Sequence, residues 1–267
     1  MRPRIASAVA AASVALALQA CSASSATTPP PSVKLTVLAA ASLATVFPQV
    51  GNAFHATRPD VTFAFSFAGT DQLAAQIQQG APADVFAGAS LKYGDELLAA
   101  RLIEPYRRFC TNRLVLIVPA SNPAGIASLA ELRSKSYKLV IGSDTVPVGS
   151  YTRTVLGNLD AVYGAGYSAA VLGKVVSNED SVTSIVAKVE SGEADAGFVY
   201  VTDALAAGAK VQTLDLPTAA EAVATYPAAA VGASPHLADA QMFVDFLLKA
   251  AAQRLLRGAG FGPPPTS

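Results

Sequence analysis

Histidine is nearly missing from this 267-residue chain, and charge is scarce. Only His55 and His236 are present, too few for a His-rich metal cluster. Charged residues make up 14%, with 19 Lys and Arg against 19 Asp and Glu, so the formal net charge is zero. No basic stripe marks a nucleic-acid surface, and no polybasic run marks a lipid-headgroup surface. No G-x-S-x-G elbow occurs, and neither histidine lies in a motif that would make it a general base, which argues against a serine hydrolase. Both histidines are expected to face solvent. What is abundant is apolar residue, 52% of the chain, which excludes disorder as the general state.

The chain opens MRPRIASAVAAASVALALQAC. Arg2 and Arg4 form a basic start, and the apolar run from Ile5 to Leu18 is too short and too rich in Ala and Ser for a membrane-spanning helix. Residues 1–20 read as a secretory signal. The ending Leu18-Gln19-Ala20-Cys21 resembles a bacterial lipobox, with Gln19 larger than the small residue usual there. That resemblance implies cleavage before Cys21 and a diacylglycerol on its thiol, with plain secretion as the alternative. The following SASSATTPPPS is a polar, Pro-rich tether, so residues 21–32 are expected to be anchor and leash. With Cys21 assigned to lipid, Cys110 is a lone thiol, read as a small buried apolar residue. Residues 33–267 are long for one core and comfortable for two lobes.

From Val33 onward short apolar runs alternate with helical patterns, the mark of an α/β domain. Strands are expected at 33–40, 61–68, 84–90, 113–120, 138–143, 174–178 and 196–200, with an extended return over 226–234. One helix is expected from Ser42 to about Ala56. Another, from about Gly149, has Tyr151, Val155, Leu156 and Leu159 as its apolar set. A third carries Val182, Ile185, Val186 and Val189 at helical spacing. The C-terminal QMFVDFLLKAAAQRLLRGAGF reads as one long amphipathic helix with Phe243, Phe246, Leu247 and Ala250 on its apolar stripe.

Small or hydroxyl residues recur where strands give way to helices: Ala40-Ala41-Ser42, Ala68-Gly69-Thr70, Val146-Pro147-Val148-Gly149 and Glu179-Asp180-Ser181. Helix starts leave N–H groups without intrahelical partners and carry the positive end of the helix dipole, so they bind anions without a charged side chain. In open α/β sheets, ligands sit at the carboxyl ends of strands, where these junctions fall. Each junction is also explained by ordinary N-capping. Asp71, Asp144, Glu179 and Asp180 would repel an anion unless they point away.

The same positions carry a family resemblance. VLAAASLATVFPQV and FAGTDQLAAQIQQGAPADVFAGAS resemble the N-terminal signature of the periplasmic molybdate-binding proteins of ABC transporters. GSDTVPVGSYTRTVL and VSNEDSVTSIVAKVESGEADAGFVYVTDA resemble their second-lobe motifs, and YPAAAV their return crossover. The resemblance implies an α/β, two-lobed type II periplasmic binding protein fold with the ligand cleft between lobes. Residues 33–114 and 228–267 would form lobe one, and 115–227 lobe two, with lobe closure hinging near 113–120 and 224–232. It further implies an oxyanion site in which Ser42 gives hydroxyl and N–H, Thr70 a hydroxyl, Val148 a backbone N–H and Tyr200 a phenol. Ser181 stands where many relatives have Val and donate a backbone N–H; its own hydroxyl is either an extra ligand or a cap. Asp71 replaces a small or polar residue, the departure that bears on selectivity.

The chemistry fits the resemblance. Molybdate is fully deprotonated at neutral pH and only accepts hydrogen bonds, as does sulfate, whereas phosphate usually keeps a proton and needs an acceptor. The implied function is an extracytoplasmic, lipid-anchored receptor that captures molybdate or tungstate and delivers it to ABC permease subunits. It would be a monomer with no cofactor, no metal-ligating side chain and no nucleic-acid partner. A receptor for sulfate or another oxyanion is the alternative within this class, and an enzyme the alternative outside it.

Overall fold

The computed structural model describes residues 32–266. The expected signal segment, Cys21 and the tether as far as Pro31 lie outside the described residues. The first stretch supplies β1 (Val33–Ala40), α1 (Phe47–His55), β2 (Val61–Ala68), α2 (Thr70–Gln78), β3 (Val85–Ala87), α3 (Leu91–Ala99) and β4 (Arg107–Asn112). β1 lies between β2 and β3, parallel to both. A strand covered on both faces reads as a continuous apolar run, as the buried second half of β1, VLAA, does after the alternating start at Lys34 and Thr36. β2 stands at the sheet edge and turns Phe63, Phe65 and Phe67 to one face. There Phe63 and Phe65 stack at 5.4 Å between ring centroids, and Phe54 of α1 meets Phe63 edge-on at 5.8 Å.

The chain then enters a second sheet after a single intervening residue, Arg113. This part comprises β5 (Leu114–Pro119), β6 (Leu139–Gly142), α4 (Pro147–Tyr163), α5 (Tyr167–Leu172), β7 (Val175–Glu179), α6 (Val182–Glu190), β8 (Ala196–Tyr200), α7 (Val201–Ala207) and β9 (Val211–Asp215). β6 is flanked in parallel by β7 and β8, while β5 runs antiparallel to β8 and β9. α6 buries Val182, Ile185 and Val189, the face its spacing predicts, whereas Val186 is only half-buried.

The return strand β10 (Ala224–Ala230) is followed by α8 (Leu237–Phe246) and α9 (Ala250–Gly258). β10 pairs antiparallel with β3 and β4 of the first sheet. Strand pairing therefore places residues 224–227 with lobe one, where the sequence had put them in lobe two, and the crossing back lies in 216–223. Pro227 cannot donate to a ladder, and the β10–β4 register shifts between Tyr226 and Pro227. The two sheets, in order β2-β1-β3-β10-β4 and β7-β6-β8-β5-β9, give a mixed α/β molecule of two sheet-containing lobes.

Three further expectations change. The first helix does not run from Ser42 to Ala56: a short 3-10 turn (Ala41–Leu43) precedes α1, which has Pro48 in its first turn. The closing helix is two helices, broken at Lys249, whose ψ of 154° is extended. The buried Gln253 side chain makes the break tolerable by donating to Leu247 O at 2.7 Å and Phe109 O at 2.8 Å. Two short strands escaped the pattern, RRFCTN (β4) and VQTLD (β9), each at a sheet edge. Cys110 is fully buried within β4, and burial pushes its thiol up. His55 is exposed and its Nδ1 lies 2.7 Å from Val61 O, while His236 is half-buried.

Candidate anion-binding site

Three strand ends from each sheet converge on one small cavity. Lobe one contributes Ala40-Ala41-Ser42 after β1, Ala68-Gly69-Thr70 after β2 and Ala89 after β3. Lobe two contributes Val146-Pro147-Val148 after β6, Val182 after β7 and Tyr200 at the end of β8. Among the described residues, no charged side chain lines it. Ser42, Thr70, Val148 and Tyr200, singled out in the sequence, are all buried and all on its wall. Ser181 is not. It caps α6, accepting from Ser184 N–H at 3.3 Å and lying 2.9 Å from Ser184 Oγ, and the wall residue is its neighbour Val182.

The local backbone explains these placements. At the β6–α4 turn Val146 is the N-cap and Pro147 the first helical residue, where a missing N–H costs nothing. Val148 follows at the second position, so its N–H has no intrahelical acceptor and is left for a ligand. The turn needs glycine at position 149, because a Cβ there would overlap the carbonyl oxygens of Gly142 and Ser143. Val182, first in α6, has an N–H in the same condition.

The two hydroxyls of lobe one already have protein partners. Thr70 Oγ1 accepts from Ala89 N–H at 3.0 Å, so its own proton is free for the cavity. Ser42 Oγ lies 2.8 Å from the hydroxyl of Tyr226. Across the cavity, Tyr200 Oη is buried and has no hydrogen-bond partner among the described residues. Burial holds its phenol well above the usual tyrosine range, so it stays protonated and can donate. An orphaned buried hydroxyl is costly, and its natural explanation is a ligand that accepts. The places of Ala89, Tyr226 and Val182 at the site leave no local signal in the sequence. Their roles arise from pairings across distant parts of the chain, or from a one-residue shift of a helix start.

None of the four acids flanking the junctions lines the cavity. Glu179 is paired with Lys188 at 2.8 Å, and Asp144 and Asp180 are exposed. Asp71 instead bridges the lobes at the cleft mouth: its Oδ2 accepts from Thr145 Oγ1 at 3.0 Å. Beside it the Tyr93 hydroxyl donates to Thr145 O, and Gln72 Nε2 reaches Asp180 Oδ2 at 3.4 Å. Gly69 permits this approach, since a Cβ there would come within 2.5 Å of Asp180 O. Asp71 Oδ1 is buried without a partner.

A donor-lined cavity between two α/β lobes is the architecture of a solute receptor, and comparison with known proteins agrees. Residues 35–262 match the family model described as bacterial extracellular solute-binding protein. The chain belongs to this family. The molybdate-binding protein ModA of Mycobacterium bovis is 38% identical over 231 residues, covering 86% of this chain and 85% of that one. Among solved structures, the substrate-binding domain of a putative molybdenum ABC transporter from Clostridium difficile is 28% identical with a TM-score of 0.66, covering 87% of this chain and 99% of that one. The sulfate-binding protein SubI of Mycobacterium tuberculosis superposes with a TM-score of 0.77 at 21% identity, covering 86% and 87%, and shares the fold. The chain is thus an extracytoplasmic oxyanion- or solute-binding protein with the type II periplasmic binding architecture.

Proposed function

We propose that this receptor captures molybdate and tungstate and hands them to the permease subunits of an ABC transporter. Tyr200 carries the reading: a buried phenol with no hydrogen-bond partner among the described residues, in a cavity whose other polar side chains are the hydroxyls of Ser42 and Thr70. Ser42 and Thr70 hydroxyls and the backbone N–H groups of Ser42, Val148 and Val182 complete the proposed donor set, with Ser181 acting as the cap that positions Val182. A tetrahedral dianion without protons matches such a set, and with no Lys or Arg on the wall the attraction comes from local dipoles rather than net charge. The likeness to molybdate-binding relatives supports molybdate over sulfate. Competition calorimetry on residues 33–267 tests this: molybdate and tungstate are expected to bind far more tightly than sulfate, and equal affinity for sulfate overturns it. Lipid anchoring at Cys21 belongs to the same proposal, resting on the lipobox resemblance. Cys21→Ala is expected to release the protein from the membrane with binding intact, and a processed variant that stays membrane-bound refutes the anchor.

A further inference from the structure

The cavity has a second layer that neither the fold nor the family likeness assigns. Asn112 ends β4 at the first crossing between lobes, and Tyr226 sits on β10 just after the second. Asn112 Oδ1 accepts from Arg113 N–H at 3.0 Å. That fixes the amide, so Nδ2 is the group that faces Thr202 Oγ1 at 2.9 Å and Tyr226 Oη at 3.4 Å. Tyr226 Oη has one other neighbour within bonding distance, Ser42 Oγ at 2.8 Å. All four side chains are buried, Tyr226 completely.

Bond direction follows from the donor inventory. An amide Nδ2 has protons and no lone pair to offer, so Tyr226 Oη accepts there. The phenol proton then has Ser42 Oγ as its acceptor. Were Ser42 to donate to Tyr226 instead, the phenol proton would be stranded in a dry interior. Burial also holds the Tyr226 phenol far above its ordinary range, so the proton is always present.

We propose that Asn112 and Tyr226 are positioning residues that aim the Ser42 proton into the cavity, so that the site refuses oxyanions which carry a proton of their own. Donation into Ser42 Oγ takes one of the serine oxygen's two lone pairs, so a protonated ligand must compete for the other, and it polarises the serine O–H into a better donor. Thr70 is treated alike, since Ala89 N–H occupies its oxygen. The two lobes meet at this relay, because Thr202 follows β8 in lobe two while Asn112 and Tyr226 belong to the first sheet. The inference rests on the cavity being an oxyanion site, and it concerns protonation state rather than which anion is carried.

Sulfate and hydrogen phosphate separate the two questions. At pH 8 both are tetrahedral dianions of similar size, and only phosphate has a proton to donate. Calorimetric titration of the wild type, Tyr226→Phe and Asn112→Ala with molybdate, sulfate and phosphate gives a phosphate-to-sulfate Kd ratio for each. Both variants are expected to lower that ratio by roughly tenfold, by freeing Ser42 Oγ to accept. A purely structural role would lower the melting temperature and weaken all three anions in parallel. If either variant fails to fold by circular dichroism, the other carries the measurement. An unchanged ratio in a folded variant overturns the relay. A wild type that prefers sulfate to molybdate while the ratio still falls overturns the molybdate reading and leaves the relay standing.

Discussion

The two lobes repeat one sheet plan yet present different chemistry to the cavity. In each, a central strand (β1 or β6) is flanked by two parallel neighbours and followed by an antiparallel pair. The strands that occupy matching places all end on the cavity: β1 delivers Ser42 where β6 delivers Val148, β2 delivers Thr70 where β7 delivers Val182, and β3 delivers Ala89 where β8 delivers Tyr200. Lobe one therefore offers side-chain hydroxyls whose proton direction must be set by neighbours. Lobe two offers two N–H groups at helix starts, whose direction the backbone sets by itself, and one phenol with no other partner. Topology decides where donors stand, and local sequence decides whether they are robust or fragile. A backbone donor tolerates changes of side chain but depends on turn geometry, while a hydroxyl donor has the reverse sensitivities.

Disturbing the lobe-two turn should have the largest effect. Gly149→Ala forces a Cβ into the Gly142 and Ser143 carbonyl oxygens, so the β6–α4 turn must open and Val148 N–H must move. We expect a loss of about 3 kcal/mol of stability, seen by thermal melting, together with loss of anion binding. Melting and affinity at the wild-type level would show that the turn relaxes freely. Next in size are the side-chain donors. Tyr200→Phe and Ser42→Ala should each weaken anion binding by roughly tenfold to a hundredfold with the fold intact, the usual cost of losing a hydrogen bond to a charged acceptor. Val148→Ala should change affinity by less than about threefold, because only its N–H is invoked. Wild-type affinity in both Tyr200→Phe and Ser42→Ala would reduce these residues to structural parts and remove the contrast between lobes.

The sequence made much of this readable, for physical reasons that also explain its gaps. AGFVY and the VLAA half of β1 are apolar because both faces are covered, and that signal is local. Edge strands β4 and β9 lack it, with Arg107, Arg108, Gln212 and Asp215 on their exposed positions. The break between α8 and α9 is held by Gln253 reaching Phe109 O across the fold, a contact with no trace in helical spacing. Ser42, Thr70, Val148 and Tyr200 stand on the cavity wall at the places where junction chemistry and family motifs coincide in the sequence. Ser181 caps α6 while its neighbour Val182 lines the cavity, because a capping hydroxyl and the first N–H without an intrahelical acceptor are adjacent in sequence. The partner of Ser42 lies 184 residues away, at Tyr226, and the partner of Tyr226, Asn112, stands 114 residues from it, so only the folded chain could reveal them.

A smaller effect separates the lobes by pH. The Asp203 carboxylate accepts from Tyr200 N–H at 3.1 Å, in the turn that presents the phenol. The matching turn in lobe one, at Ser90, has no side-chain cap. Desolvation pushes Asp203 up to about 7 from 3.8, even though the bond from Tyr200 N–H pulls the other way. Between those two values the folded protein holds a proton that the unfolded chain has released, so this group makes stability fall as pH rises. Its penalty is absent well below pH 4 and complete above about 7. Asp203→Asn keeps an oxygen for Tyr200 N–H and removes the charge, at the cost of a favourable acid in the first turn of α7. The net gain should be about 1 kcal/mol at pH 8, a rise in melting temperature of about 2–4 °C, shrinking to nothing at pH 4. Melting curves for wild type and variant across that range would decide it. A constant difference at every pH would mean that Asp203 titrates as an ordinary surface acid and that the two lobes respond to pH alike.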